Sequence, residues 1–383
     1  MNERFQPPYT AVRRLYCLDG LRGIAALLVC LYHFSSSSIL QNSGFVANGW
    51  LNVDLFFVIS GIVLDRRYFS NLNASFADFI ASRIARMMPL YFVMLLLFFA
   101  LDLLIGRSVE ELLYPLAVNV AALQSFGLLP KLYFYGPAWS ISAEIWVNMF
   151  LFPILALWDL SRVLLLFIGG GLAIFVFFLD IQSSYEAGAL RCLYGVSVGV
   201  LVSRISKKAP SFNSASIEAS TYRPTSTTTA IAVLAWLAAI AACFHVNSLF
   251  AFVPIVFGAL CYALILGYVQ PIEKFLSQRL IVYLGNISFS VYMIHFFIGG
   301  RLMRGAIPFI SEKFELDLVS ETTKKKWNGT VLGTNELEGL LFIAIYISLV
   351  VFFAHFILRY VEHPLHVFFK EMIKGTLSRK RTK

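Results

Sequence analysis

Two ionisable residues in the first long apolar run could act together. Arg22 and His33 are eleven residues apart in LDGLRGIAALLVCLYHF. At about 100° per residue, this spacing puts both side chains on one helix face, roughly 16 Å apart along the axis. Such a histidine could accept a proton and such an arginine could position an anionic group, with Asp19 as a pairing partner one turn away. A snorkelling arginine beside a packing histidine has the same spacing.

Glu144 and His295 interrupt later apolar runs, in WSISAEIWVNMF and SFSVYMIHFF. An ionisable group at membrane depth costs several kcal/mol unless it is paired or hydrated, so each is a candidate functional residue. If neighbouring spans alternate in direction, Glu144, His33 and His295 reach a similar depth. The expectation is that Glu144 orients the His33 imidazole as a base. The alternative is an interhelical Glu–His hydrogen bond that only packs the bundle.

A second pair of basic residues, Arg83 and Arg86, precedes another apolar run in ASRIARMMPLYF. Three residues apart, they lie on one helix face. Paired guanidinium groups suit bidentate binding of phosphate. Anchoring to lipid headgroups is the alternative for arginines at this position.

Composition indicates the setting in which these residues lie. Of 383 residues, 58% are hydrophobic and 14% are charged, against about 45–50% and about 25% in soluble domains. The mean hydropathy of +0.74 excludes a soluble globule and predicts a membrane protein with several spans. The net charge of +9 then reflects basic loops on the cytoplasmic face, and no nucleic-acid partner is expected.

The apolar runs predict an all-α polytopic membrane protein with about ten transmembrane helices and one re-entrant or surface helix. The segment 111–129 is assigned to that last helix because it contains Asn119 and Gln124 and follows Glu110. The candidate runs lie near 21–40, 50–64, 88–106, 111–129, 138–158, 163–180, 190–203, 230–246, 249–269, 281–300 and 338–360.

Basic residues cluster in three connections, which predicts their side of the membrane. The N-terminus, residues 65–87 and the tail 367–383 are expected in the cytoplasm of a cell with this protein in its inner (plasma) membrane. A flexible cytoplasmic linker is predicted at 206–229 and an extracytoplasmic connection at 301–337, within a membrane domain covering 1–366.

Several common active-site patterns do not fit. No phosphate-binding GxxxxGK[ST], HExxH zinc motif or GxSxG serine motif occurs at a usable position. The five cysteines have no CxxC spacing, so they are predicted to be packing residues and no metal is expected.

Taken together, the motifs resemble membrane-bound acyltransferase family 3. Arg22 and His33 match the basic residue and histidine of its first span, and Arg83 and Arg86 match its RxxR pair. Ile145 departs from the pattern, since many relatives have a second acid there. The other matching elements are NVDLFFVISGIVL with Ser60, WSISAEIWVNMFLFP, SFSVYMIHF and VEHPL.

This resemblance implies transfer of an acyl group, usually acetyl, from cytoplasmic acyl-CoA to a hydroxyl of a carbohydrate or glycolipid. It also implies the stand-alone membrane form, whose members modify extracellular glycans. His33 is assigned as general base or transient acyl carrier, with Glu144 as its orienting partner and Arg22 as a positioning cation. Acyl-CoA is assigned to Arg83 and Arg86, and supporting or substrate-binding roles are assigned to Ser60, Trp139, Ser142 and His295.

A carrier is the rival hypothesis, because many spans with buried charges also describe transporters of small anionic or glycosidic solutes. The two differ in their products: a carrier moves its solute unchanged, whereas a transferase consumes a thioester and makes an ester.

Overall fold

The computed structural model describes residues 15–34, 43–69, 75–157, 168, 171, 187–208, 226–245, 247–321 and 330–381. Described residues are overwhelmingly helical, as the sequence predicts. They also contain a small antiparallel hairpin of β1 (Val319–Glu321) and β2 (Thr330–Leu332).

The α-helices have the following bounds: α1 Tyr16–Phe34, α2 Gly44–Ala47, α3 Asn52–Leu64, α4 Phe76–Leu104, α5 Val109–Val120, α6 Trp139–Leu157, α7 Gly188–Lys208, α8 Ser226–His245, α9 Val253–Ile265, α10 Gln270–Leu276, α11 Arg279–Phe296, α12 Arg304–Lys313, α13 Glu336–Ile357 and α14 His363–Arg381. Three π-helical turns extend α3, join α11 to α12 and join α13 to α14, at Asp65–Phe69, Phe297–Met303 and Leu358–Glu362.

Six described segments are long and apolar enough to cross a membrane, or seven if a pair bent by 91° counts as one span. They are Tyr16–Phe34, Phe76–Leu104, Gly188–Lys207, Thr227–His245, Arg279–Lys313 and Glu336–Ile373, and the bent pair is Phe250–Ile265 with Gln270–Leu276. The chain is therefore an integral membrane protein, and the predicted count of about ten spans is not confirmed. The predicted run 163–180 lies outside the described residues except for 168 and 171.

Several predicted boundaries need correction. The connection expected at 301–337 begins later, because the π turn continues α11 into α12 as far as Lys313. Both ends of the predicted linker 206–229 are helical, and 209–225 lie outside the described residues. The helix α5 has 12 residues, fewer than the ~20 needed to cross, in agreement with a surface or re-entrant helix.

The helices α1 and α11 run parallel and in close contact. A side chain at Gly285 would overlap the backbone carbonyl of Asp19, and a Cβ at Gly23 would lie 2.6 Å from the backbone nitrogen of Gly285. Small residues allow such close approach in membranes. One end of this pair therefore carries Arg22, and the other end carries His33 and His295.

A second close contact joins α3 to α7. A side chain at Gly199 would overlap the carbonyl oxygen of Val58, and one at Gly61 would overlap that of Val196. Gly195, one turn before Gly199 on α7, also packs against α3, because a Cβ there would lie 2.8 Å from the Cβ of Phe57. The five cysteines are all buried and unpaired with one another, as expected for packing residues.

Candidate functional site

Three arginines converge on one cavity of about 120 Å³, here called the arginine cavity. Arg22 comes from α1, and Arg83 and Arg86 come from α4. Ser60 on α3 and Glu144 on α6 are among the other polar residues that line it. The structure thus brings together five of the predicted site residues from four helices.

Glu144 is held by a basic residue and a hydroxyl group. Its Oε1 accepts hydrogen bonds from the Arg83 guanidinium and, at 2.7 Å, from the Ser60 hydroxyl. The predicted pairing of Glu144 with His33 is corrected, because Glu144 lines the arginine cavity and His33 lines a different one. Depth along the membrane normal was predicted from sequence, but the direction of the side chain around the helix axis was not.

Arg22 is fixed by contacts to both helices of the close pair. Its Nε donates to the Ser288 hydroxyl at 3.0 Å and its Nη2 to the Gly285 carbonyl at 2.8 Å. The predicted pairing with Asp19 is confirmed at 3.3 Å. These contacts hold the guanidinium against the arginine cavity.

Arg86 is the most accessible of the three arginines. It is exposed, and within the described part of the chain no residue forms a hydrogen bond or close ion pair with it. Glu144 and Glu362 add negative charge in its surroundings, and Glu362 accepts a hydrogen bond from Ser290 at 2.5 Å. The five N–H donors of Arg86 therefore remain available to a ligand.

His33 and His295 line a second cavity of about 700 Å³, here called the histidine cavity. Their ring centroids are 5.2 Å apart. His295 Nδ1 lies 2.6 Å from the Tyr292 carbonyl oxygen, so this nitrogen carries the proton, because a carbonyl can only accept. The buried Nε2 has no hydrogen-bond partner among the described residues, and in the neutral ring its lone pair is available as a proton acceptor.

Tyr292 lies between the two cavities. Its side chain lines the arginine cavity, and its ring centroid lies 5.5 Å from that of His295. Its hydroxyl donates to the Pro137 carbonyl at 2.9 Å, and its carbonyl accepts from Tyr135 as well as from His295. Tyr292 therefore ties the start of α6 to the histidine pair.

Trp139 and Ser142 contact neither cavity. The Ser142 hydroxyl donates to the Ala122 carbonyl at 2.6 Å and lies 2.8 Å from the Ser125 hydroxyl. Trp139 packs its ring under the guanidinium of Arg191. Both residues fix the position of α6, and through it the position of Glu144.

Arg191 is a residue that sequence reasoning missed. It forms a buried bidentate ion pair with Asp54, with N–O distances of 2.6 Å and 3.2 Å. Its guanidinium carbon lies 5.0 Å from the Trp50 ring centroid and 5.2 Å from that of Trp139. The signal was present, since an arginine inside an apolar run requires a partner. Asp54, an acid inside the second apolar run, requires a partner for the same reason.

The contact between Arg83 and Glu144 predicts energetic coupling. Glu144→Gln and Arg83→Gln should each lower the thermal midpoint of the purified protein, since each leaves one charge partly buried without its partner. The double variant should lose less free energy of unfolding than the two single variants lose together, and the difference should be about 0.5–3 kcal/mol. Thermal unfolding of all variants in one detergent measures this, with the exposed Glu312→Gln as control. Strictly additive losses would contradict the pairing.

A family model described as an acyltransferase domain matches residues 15–359, which covers nearly the whole chain. No solved structure matches this chain.

Curated relatives match shorter stretches. "Putative acetyltransferase ORF330" of Acidianus two-tailed virus is 32% identical over 145 residues, covering 38% of this chain and 42% of the relative. "Putative peptidoglycan O-acetyltransferase YrhL" of Bacillus subtilis (strain 168) is 35% identical over 82 residues, covering 20% and 12%. "Putative O-acetyltransferase SACOL0978" of Staphylococcus aureus (strain COL) is 25% identical over 196 residues, covering 50% and 29%. The chain spans less than half the length of each of these three relatives.

The match over residues 15–359 includes every residue of both cavities, from Arg22 in the first helix to Tyr346 in α13. This chain therefore belongs to membrane-bound acyltransferase family 3.

Proposed function

We propose that this protein transfers an acyl group, in the first place acetyl, from acyl-CoA to a hydroxyl of a cell-surface or exported carbohydrate. The family is one of acyltransferases, and the relatives' names describe O-acetyl transfer, in one case to peptidoglycan. The observation that carries the proposal is the arrangement of the two cavities along the parallel helices α1 and α11. Arg22, Arg83 and Arg86 line the cavity at one end, and the imidazoles of His33 and His295 line the cavity at the other.

The arginine cavity suits the phosphate end of the donor. Arg86 offers free N–H groups, and Arg22 and Arg83 stand beside it with their orientation fixed by neighbouring residues. Guanidinium groups bind phosphate through two parallel hydrogen bonds. From Arg22 to His33 the helix rises roughly 16 Å, so an extended donor bound at the arginines would bring its thioester toward the histidines.

The histidine cavity suits the chemical step. In direct transfer, His33 takes the proton of the acceptor hydroxyl while the oxygen of that hydroxyl bonds to the thioester carbonyl carbon. The carbon–sulfur bond then breaks, and CoA leaves as a thiolate that takes up a proton. In the two-step variant the His33 nitrogen bonds to the thioester carbonyl carbon while the carbon–sulfur bond breaks and CoA leaves as a thiolate. The acceptor oxygen then bonds to that carbon, the bond to nitrogen breaks, and the hydroxyl proton passes to the thiolate. His295 Nε2, with its lone pair available, supports proton transfer at this position.

The proposed sidedness predicts a labelling pattern. Because basic residues favour the cytoplasmic side, single cysteines introduced at 209–225 or at 374–383 should react only from the cytoplasm. Cysteines near Glu315 in the connection after α12 should react only from outside. The assay is labelling with an impermeant maleimide, before and after permeabilisation, in a chain whose native cysteines are replaced by Ala or Ser. Labelling near Glu315 only from the cytoplasm would overturn this orientation.

The function itself is tested by two measurements. Mass spectrometry of surface glycans from cells with and without this protein should show an acyl ester that depends on it. Purified protein in liposomes should consume labelled acetyl-CoA and place the label on an acceptor glycan. Movement of an unmodified solute without ester formation would overturn the proposal in favour of a carrier.

A further inference from the structure

The histidine cavity has a basic lining. Besides the two histidines, Arg301 and Arg304 line it, and among the described residues that line it there is no aspartate or glutamate. Tyr346 is the other polar side chain of that lining. Ligand groups that carry negative charge are therefore favoured in this cavity.

A single carboxylate behind the cavity wall serves two guanidinium groups. Asp102 on α4 is 0% exposed and accepts from Arg301 Nη2 at 2.7 Å and from Arg107 Nη1 at 3.2 Å. Only Arg301 of these two arginines lines the cavity. Asp102 carries one negative charge and faces two positive ones. It therefore orients Arg301, and the three side chains together keep a net positive charge.

Aromatic rings hold both cavity arginines in place. The Arg301 guanidinium carbon lies 5.7 Å from the Phe98 ring centroid, and that of Arg304 lies 5.4 Å from the Phe34 ring centroid. Such stacking leaves the N–H edge of a guanidinium available for hydrogen bonds. The side chain of Arg301 keeps 31% of its surface exposed, so it can reach a ligand.

We propose that the histidine cavity binds an acceptor that carries an anionic group, a carboxylate or a phosphate, next to the hydroxyl that is acylated. Arg301 and Arg304 bind the anion, and this places the hydroxyl at His33. The volume of about 700 Å³ lies within the usual range for small-ligand pockets. The inference rests on the proposed function, which it extends by naming the class of acceptor.

The charge of the acceptor can be varied while the protein stays unchanged. The full chain is placed in phosphatidylcholine nanodiscs, and binding is measured for trigalacturonate, its uncharged trimethyl ester, galactose 6-phosphate and galactose. At least one anionic probe should bind at least tenfold more tightly than its neutral partner. This preference should shrink as salt is raised, because salt screens charge. Equal binding within both pairs, or no binding of either anionic probe, would overturn the inference.

Variants then locate the anion. Arg304→Gln, and the double variant Arg301→Gln with Asp102→Asn, should each weaken binding of the preferred anionic probe at least tenfold. The double variant avoids leaving the buried Asp102 charge without a partner. Arg107→Gln is the matched control, because Arg107 contacts the same carboxylate but does not line the cavity. An equal loss in Arg107→Gln would place the effect outside the cavity and overturn the inference.

Acetyl-CoA use separates the two proposals. If acetyl-CoA is consumed but charged and neutral probes behave alike, the anionic acceptor is wrong and the acyl transfer stands. If the anionic probe binds but acetyl-CoA is not consumed with any acceptor, the transfer is wrong and the anion site stands.

Discussion

His33→Gln should lower acyl transfer by roughly 10²–10⁴-fold, the usual contribution of a general base. Glutamine is polar and fills much of the same space, but it cannot take a proton near neutral pH. His33→Ala should lose at least as much. The measurement is label transfer from acetyl-CoA by purified protein in liposomes, together with glycan ester content in cells. If His33 carries the acyl group covalently, the loss should be larger and no labelled protein should form in the variant.

A third intramembrane histidine provides the control for this prediction. His355 on α13 lies 2.5 Å from the Tyr283 hydroxyl through its Nδ1 and lines neither cavity. His355→Gln should therefore keep activity within a few-fold of the unchanged protein. A His33→Gln protein with activity as high as that of His355→Gln would reduce His33 to a packing residue.

Replacement of Arg83 and Arg86 by alanine should have the second largest effect. Loss of hydrogen bonds to a charged group costs about 1.5–3 kcal/mol each, so the apparent affinity for acyl-CoA should fall roughly 10- to 100-fold for Arg86→Ala alone. Arg86 gives the cleaner result, since it has no close partner among the described residues. Arg83→Ala also releases Glu144, so its effect combines lost donor contact with a less stable cavity.

Lysine replacements at both positions test whether geometry matters besides charge. They should recover part of the affinity, because lysine keeps the charge but lacks the planar fork that matches phosphate. Arg67→Ala is the control, since Arg67 lies exposed in the π turn after α3 and lines neither cavity. An unchanged apparent affinity in the double alanine variant would reassign Arg83 and Arg86 to lipid anchoring.

The site residues that the sequence identified best are those whose relation is local. Arg22 and His33 share one helix, so the 3.6-residue period fixes their common direction and their axial separation. The pairing of Arg22 with Asp19 follows from the same period and is confirmed. Most of the ionisable residues at membrane depth, though not Arg191, were also recognised, because their cost in an apolar environment makes them exceptional.

The partners of these residues across helices were decided by the tertiary structure. Glu144 and His295 were predicted to lie at the depth of His33, with Glu144 as its orienting partner. In the structure His295 lies beside His33, and Glu144 contacts Arg83. Hydropathy indicates how deep a residue lies in a membrane, whereas its partner depends on which helices are neighbours and how each is rotated. Those two quantities are set by close contacts such as that between α1 and α11.

The helical character of the protein follows from the sequence, whereas the lengths of its helices depend on the tertiary structure. The sequence by itself determined that this is a helical membrane protein, because its apolar residues exceed what a soluble surface can carry. Only the tertiary structure decided that π-helical turns carry two of the described helices beyond their apolar runs, to Lys313 and Ile373. A polar or charged residue ends an apolar run in a sequence, but the helix continues wherever other helices or ion pairs satisfy that residue. The clearest example is Arg301, which lies inside the π turn between α11 and α12 and donates a hydrogen bond to Asp102 of α4.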